Sequence, residues 1–192
     1  MAGKKIALFD MDNTLCDYSG QLRRDLELLR SPEEPAIGDF GNDNPEWLLN
    51  RMRLVKSQPG WWLELPELDS GVVLLKAAMK CGYSPHILTK GPHGNARAWE
   101  EKVLWCRQRL PREAGNVPVT ITEDKSVVYG WVLFDDWPPY VKAWLEWRPR
   151  GFAIMPAQDY NEDFLHPRAL RYDGLSETYD KVVAWLENPP AR

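Results

Sequence analysis

Ile6-Ala7-Leu8-Phe9-Asp10-Met11-Asp12-Asn13-Thr14 decides the fold. Four apolar, β-prone residues run straight into two aspartates spaced i, i+2. Such a run reads as a buried strand of a parallel sheet. In an open α/β sheet ligands bind just beyond the carboxyl ends of the strands, so the aspartates fall at a site rather than in the core. The pair alone is weak, because chance supplies roughly one Asp-x-Asp in a chain of this composition. Its weight comes from matching chemistry in the downstream segments of the chain.

Further short apolar runs alternate with helical patterns: Pro85 to Leu88, Val117 to Ile121, Val132 to Phe134 and Phe152 to Met155. Between them, Val72 to Cys81 has helical spacing and is closed by Gly82, and Tyr179 to Glu187 is stopped by Pro189 and Pro190. Asn95 to Leu110 reads as an amphipathic helix with Trp99, Val103 and Cys106 on the buried face and Glu100, Lys102 and Arg107 in solvent. This alternation predicts an α/β fold, a Rossmann-like parallel sheet with flanking helices. More than fifty residues separate the first strand from the second, too many for a simple crossover. Helical patterns at Leu22 to Arg30 and Glu46 to Lys56 flank a Pro/Gly/Asn/Asp-rich middle. The expected organisation is a core of residues 1–15 and 70–192 and a small helical cap of 16–69 inserted after the first strand.

Bulk properties narrow the function. The 192 residues suit one domain with a modest insertion, and the formal charge of −4 gives no basic stripe for a polymeric nucleic acid. A single nucleotide remains compatible. Three cysteines, Cys16, Cys81 and Cys106, are odd in number and irregularly spaced, which argues against a disulfide framework or a zinc site. Cys16, next to the aspartates, reads as a packing thiol. No apolar stretch approaches a membrane span, and Met1 to Lys5 leads into the first strand without a signal-peptide pattern. A cytoplasmic protein without membrane contact is expected, and a homodimer is left open.

Three later segments complete a chemical set: His86-Ile87-Leu88-Thr89-Lys90-Gly91, Thr122-Glu123-Asp124-Lys125-Ser126-Val127-Val128 and Val132-Leu133-Phe134-Asp135-Asp136. A strand-end hydroxyl with backbone N–H groups suits phosphate oxygens, and one cation and two more acids join it. Phosphoryl transfer explains the company. Asp10 would attack phosphorus, and Asp10, Asp135 and the Asp12 carbonyl would ligate Mg²⁺. Lys125 would offset repulsion between two anions, and Asp12 would protonate the leaving oxygen and then activate water.

Asp10-Met11-Asp12-Asn13-Thr14, Thr89, Lys125 and Asp135-Asp136, in this order, resemble the four motifs of the haloacid dehalogenase (HAD) superfamily of phosphohydrolases. Within it, Trp61-Trp62-Leu63-Glu64-Leu65-Pro66-Glu67-Leu68, Asp124-Lys125-Ser126-Val127-Val128 and Leu133-Phe134-Asp135-Asp136-Trp137-Pro138 resemble the 5′(3′)-deoxyribonucleotidases. The resemblance implies Mg²⁺-dependent hydrolysis of nucleoside 5′-monophosphates, with Asp10 as nucleophile and Asp12 as acid/base. It implies Thr89, Lys90 and Lys125 on the phosphate, Asp10, Asp12 and Asp135 on the metal with Asp136 in support, and Tyr18, Trp61 and Trp62 around the base. Two departures stand out. That branch has Gly-Val where this chain has Asn13-Thr14, and Thr-Ser-Pro where it has Thr89-Lys90-Gly91-Pro92. The rival expectations are a HAD phosphatase for another monoester, such as a sugar phosphate or a polynucleotide end, and a non-catalytic binding protein on the same fold.

Overall fold

Six parallel strands form one sheet in the computed structural model, which describes residues 4–38, 40 and 44–190. They are β1 (Ile6–Phe9), β2 (Ser84–Thr89), β3 (Val119–Ile121), β4 (Val132–Phe134), β5 (Phe152–Pro156) and β6 (Ala169–Tyr172), in the spatial order β3-β2-β1-β4-β5-β6. The chain therefore builds outward from β1 in one direction and then, from β4, in the other. The reversal lies between β1 and β4, where a ligand crevice is expected beyond the strand ends. Registry sets its walls: Phe9 pairs with Phe134, and Asp10 N–H donates to the Phe134 carbonyl at 2.8 Å. Asp10 and Asp135 are thereby the first residues past two neighbouring strands.

The central strands are buried on both faces, as a parallel sheet requires, while the edge strands β3 and β6 are mostly half-buried. Phe9, Ile87, Val132, Phe134 and Ile154 face one way, under α3 (Asp69–Lys80), α4 (Ala96–Arg109) and α6 (Ser176–Glu187). Leu8, Leu88, Leu133, Ala153 and Met155 face the other, under α5 (Pro138–Glu146). Phe9 and Phe134 stack with centroids 4.1 Å apart directly beneath the aspartates. Each such side chain contributes about 1.5–3 kcal/mol when fully buried, so the strand ends rest on firmly buried core.

After β1 the chain makes a tight turn in which Leu15 and Cys16 N–H groups both donate to the Met11 carbonyl. Two helices come next, α1 (Tyr18–Leu28) and α2 (Glu46–Lys56), with their own apolar cluster of Leu22, Leu26, Ile37, Leu48, Met52 and Val55. Among the described residues, no helix is long and apolar enough to cross a membrane.

Two sequence expectations need correction. The edge strand β6 lies outside the strands read from sequence, since Ala-Leu-Arg-Tyr lacks a β-rich apolar run. The buried face of α4 is Ala98, Glu101, Lys102, Trp105 and Cys106, whereas Trp99 is 37% exposed. Charge assigns Lys102 to the solvent side, but burial follows the 98/101/102/105 helical spacing.

Gly71 in α3 shows how closely the core supports the loop after β1. A Cβ there would come within 2.0 Å of the Thr14 carbonyl oxygen. Alanine is the better helix former by about 1 kcal/mol, but the clash involves backbone and cannot be relieved by a rotamer change. Gly71→Ala is therefore expected to destabilise the protein by about 1–3 kcal/mol in urea unfolding. A rise in the unfolding midpoint would contradict this packing.

Candidate functional site

The sheet reversal brings together Asp10, Asp135 and Asp136, all buried, with one carboxylate oxygen from each within 4.8 Å of the others. Lys125, also buried, lies between two of them. Its ammonium donates to Asp10 Oδ1 at 2.7 Å and to Asp135 Oδ2 at 2.7 Å. The other Asp135 oxygen accepts from Trp137 N–H at 2.9 Å, at the start of α5. Burial works against a charged Lys125, but Asp10 and Asp135 outweigh it and hold its pKa above the usual lysine value. Burial lifts the Asp135 carboxyl to about 6 despite Lys125, with repulsion from Asp10 adding to the rise. Asp136 is pushed well above the carboxylate range by burial and by Asp135 and Asp10. Three hard oxygen donors at such spacing fit a divalent cation such as Mg²⁺, which would relieve this crowding of charge.

Asp136 is fixed by two hydroxyls. Thr14 Oγ1 donates to its Oδ1 at 3.2 Å, and the Tyr160 hydroxyl donates to its Oδ2. Asn161 Nδ2 donates to its main-chain carbonyl at 2.9 Å. Asn13 takes a left-handed conformation, φ 55°, which asparagine tolerates better than most residues. Its carboxamide accepts from Ser19 N–H at 2.8 Å and donates to Ser19 Oγ at 2.9 Å and to the Tyr160 hydroxyl at 3.1 Å. The Asn13-Thr14 departure thus has structural work: one side chain ties the loop to α1, the other holds Asp136. A Gly-Val pair could do neither.

Asp12 is held apart from the acidic cluster. Its Oδ2 accepts from Lys102 Nζ at 2.7 Å, and the same ammonium donates to Thr89 Oγ1 at 3.0 Å and lies 4.5 Å from the Trp62 ring centroid. Burial raises the Asp12 carboxyl, with Asp10 adding to the rise, against the opposing pull of Lys102. Glu101, the neighbour of Lys102, accepts from Gly60 N–H at 2.8 Å and Trp62 N–H at 3.2 Å, and so fixes the turn that carries Trp62. Sequence reasoning misses both α4 residues. The available signal is two charges at core spacing on a helix whose other inward positions include Ala98 and Trp105.

A cavity of about 460 Å³ opens over these groups, lined by Asp10, Asp12, Lys90, Lys125 and Asp136 and by the rings of Tyr18, Phe40, Trp62, Trp137, Tyr140 and Tyr160. Lys90 lies on its exposed rim, its ammonium 5.7 Å from the Tyr140 ring centroid. Thr89 is buried at the end of β2 behind Lys102. Tyr18 and Trp62 stack on each other at 5.6 Å. Trp61 is absent from the lining: its Nε1 donates to Asp25 Oδ2 at 2.7 Å, which turns the ring toward α1. The expected trio of rings is thus reduced to two in the cavity wall, joined by Phe40. His93, given no role from sequence, lies at the cavity and bonds Glu123 at 3.1 Å. The Cys16 thiol is buried against the Met11 carbonyl and held well above its usual pKa by burial, so it is a packing group.

No protein-family model matches the chain, and neither does any curated protein sequence. Solved structures do match. A haloacid dehalogenase-like hydrolase of Burkholderia xenovorans superposes with TM-score 0.52 at 19% identity, over 97% of each chain. A haloacid dehalogenase-like family hydrolase of Xanthomonas campestris gives 0.54 at 15% identity, over 96% of this chain and 97% of the other. The chain therefore has the HAD-like Rossmannoid fold.

The Lys102–Asp12 pair makes a direct prediction. Lys102 lowers the Asp12 pKa, so its removal must raise it further. Lys102→Met is expected to move the Asp12 carboxyl titration to higher pH, followed by carboxyl carbon chemical shifts in NMR. An unmoved titration would mean that the two groups are not coupled.

Proposed function

We propose that the protein is a Mg²⁺-dependent phosphomonoester hydrolase of the HAD type that works through an aspartyl phosphate and acts on nucleoside 5′-monophosphates. The observation that carries this reading is the separation of the two aspartates. Asp10 stands in the acid cluster on Lys125, while Asp12 is drawn out of it by Lys102. A binding protein needs no second carboxylate of raised pKa beside the first. A two-step displacement does.

In the first step an Asp10 oxygen forms a bond to phosphorus as the ester P–O bond breaks, and the Asp12 carboxyl gives its proton to the departing oxygen. In the second step water attacks the phosphorus of the aspartyl phosphate, Asp12 accepts a water proton, and the Asp10 carboxylate is restored with release of phosphate. Lys125 and Lys90, which line the cavity, hold phosphate oxygens, and Thr89 acts from behind Lys102, whose ammonium donates to its hydroxyl. A Mg²⁺ ion held by Asp10, Asp135 and Asp136, with the Asp12 carbonyl, would supply positive charge against the approaching phosphate. Burial of the Asp12 carboxyl favours its protonated form, as a leaving-group acid requires.

The nucleotide reading rests on the cavity. Its volume of about 460 Å³ is within the ordinary range for small-molecule pockets, and Tyr18, Phe40 and Trp62 offer ring faces to a base. Because Tyr18 and Trp62 already stack together, the base would lie against a shared wall rather than between them. The diversion of Trp61 to Asp25 favours the rival reading, in which another monoester is the substrate.

Phosphate release by the purified protein with Mg²⁺, over ribo- and deoxyribonucleoside monophosphates with sugar phosphates as controls, tests the substrate class. Nucleotides are expected to lead, and a clear sugar-phosphate preference would refute the assignment. Asp10→Asn should abolish turnover with the circular dichroism spectrum unchanged, and Asp12→Asn should lower kcat by about 10²–10⁴. Retained activity in Asp10→Asn would overturn the mechanism. Trp62→Ala should raise KM for nucleotides while KM for a small generic phosphate ester changes far less, and any loss of kcat through Asp12 should be common to both. Equal changes in KM for both would count against base stacking.

A further inference from the structure

From Lys56 we infer that the substrate of this site carries a second anionic group, phosphate or carboxylate, apart from the phosphate that is cleaved. This inference rests on the hydrolase reading and narrows its substrate, from a plain nucleoside 5′-monophosphate, whose one phosphate is the scissile group, to an ester with an additional anion as the preferred ligand. Lys56 is the last residue of α2, it lines the cavity, and its Nζ donates to the Tyr18 hydroxyl at 3.1 Å. Its main-chain carbonyl accepts from Trp62 Nε1 at 3.0 Å and from Asn95 Nδ2 at 3.3 Å. The residue is thus pinned to the aromatic wall on one side and to the N-cap of α4 on the other.

The other interior cations of the site are already matched. Lys125 has Asp10 and Asp135, and Lys102 has Asp12. Lys56 is half-buried, and among the described residues no carboxylate lies within ion-pair distance of it. Burial accordingly holds its pKa below the usual lysine value. The ammonium's one direct hydrogen-bond partner among the described residues is a phenol oxygen, and the attraction of Asp12, which lies beyond ion-pair distance, does not offset its burial, so the group is costly for the protein alone. An anion brought by the ligand removes that cost, and a charge-assisted bond in a partly dry cavity is among the stronger polar contacts available.

Position separates this cation from the phosphate machinery. Lys125 and Lys102 rise from the core, at the strand ends and on α4, whereas Lys56 comes from the helices inserted after β1 and sits on Tyr18. A ligand with its scissile phosphate at Asp10 and its body along Tyr18 and Trp62 would bring a second anion to Lys56. A nucleoside 3′,5′-bisphosphate or a phosphorylated carboxylic acid has this form. A neutral alcohol phosphate does not.

The test uses binding, so that it stands whether or not turnover occurs. Asp10→Asn protein with Mg²⁺ is titrated calorimetrically with a nucleoside 5′-monophosphate and with the matching 3′,5′-bisphosphate. The bisphosphate is expected to bind about tenfold more tightly, and Lys56→Gln on that background should bring the ratio near one. Lys56→Arg should keep most of the preference. Arg53→Gln, the same charge change on the exposed side of α2, should leave the ratio as it was. A ratio near one in the Lys56 protein, equal losses for both ligands in Lys56→Gln, or an equal effect from Arg53→Gln would each overturn the inference. Failure of the wild-type protein to release phosphate from any ester would overturn the hydrolase reading instead, and the two outcomes are read separately.

Discussion

The Lys125 ammonium between Asp10 and Asp135 is the interaction on which the rest of the site depends. Parallel registry of β1 and β4 forces the two carboxylates to emerge side by side, at the point where the sheet reverses direction. Two carboxylates in a buried crevice repel each other. One cation donating at 2.7 Å to both converts that conflict into a stable triad. Replacing a buried ion pair with apolar groups is often neutral or better for stability, so stability is a weak reason to keep this one. The proposed chemistry is the stronger reason. Asp136, with hydroxyl donors from Thr14 and Tyr160, extends the same logic to a third acid.

Much of this is legible in the chain because parallel strands at the centre of a sheet have a plain signature. Leu8-Phe9 and Leu133-Phe134 are apolar on both faces and end in aspartate, so strand, direction and site emerge from a few residues. Other parts resist for identifiable reasons. β6 is an edge strand with three of its four residues only partly buried, and its Arg171 reaches Asn161 rather than solvent alone, so its composition is that of a loop. Lys102 and Glu101 escape a reading from sequence because charge normally marks the solvated face of a helix. Here the helix packs against a site rich in carboxylates and backbone N–H groups, and those partners exist only in three dimensions.

The aromatics between β1 and α3 show a different limit. The resemblance implies Tyr18, Trp61 and Trp62 near the site, but orientation is decided by hydrogen bonds far apart in sequence. Asp25 on α1 captures the Trp61 indole, while the Lys56 carbonyl captures that of Trp62. An indole N–H seeks a partner when buried, and whichever acceptor lies closer turns the ring. Two adjacent tryptophans therefore face different ways, and only one meets the cavity.

Trp62 also joins the two halves of the proposed chemistry. Its ring lies 4.5 Å from the Lys102 ammonium, and its main-chain N–H is held by Glu101, the preceding residue of the same helix. By excluding water from one side of Lys102, the ring keeps the field of that cation on Asp12 at low dielectric, where charge interactions are several-fold stronger than in water. The surface that would meet a substrate's base is thus the same one that sets the environment of the proposed proton donor. Displacing Trp62 would expose Lys102 and weaken its hold on Asp12, so recognition and acid/base readiness share one physical element. That sharing accounts for the charged pair buried on α4: Glu101 positions the ring, and Lys102 carries its effect to Asp12.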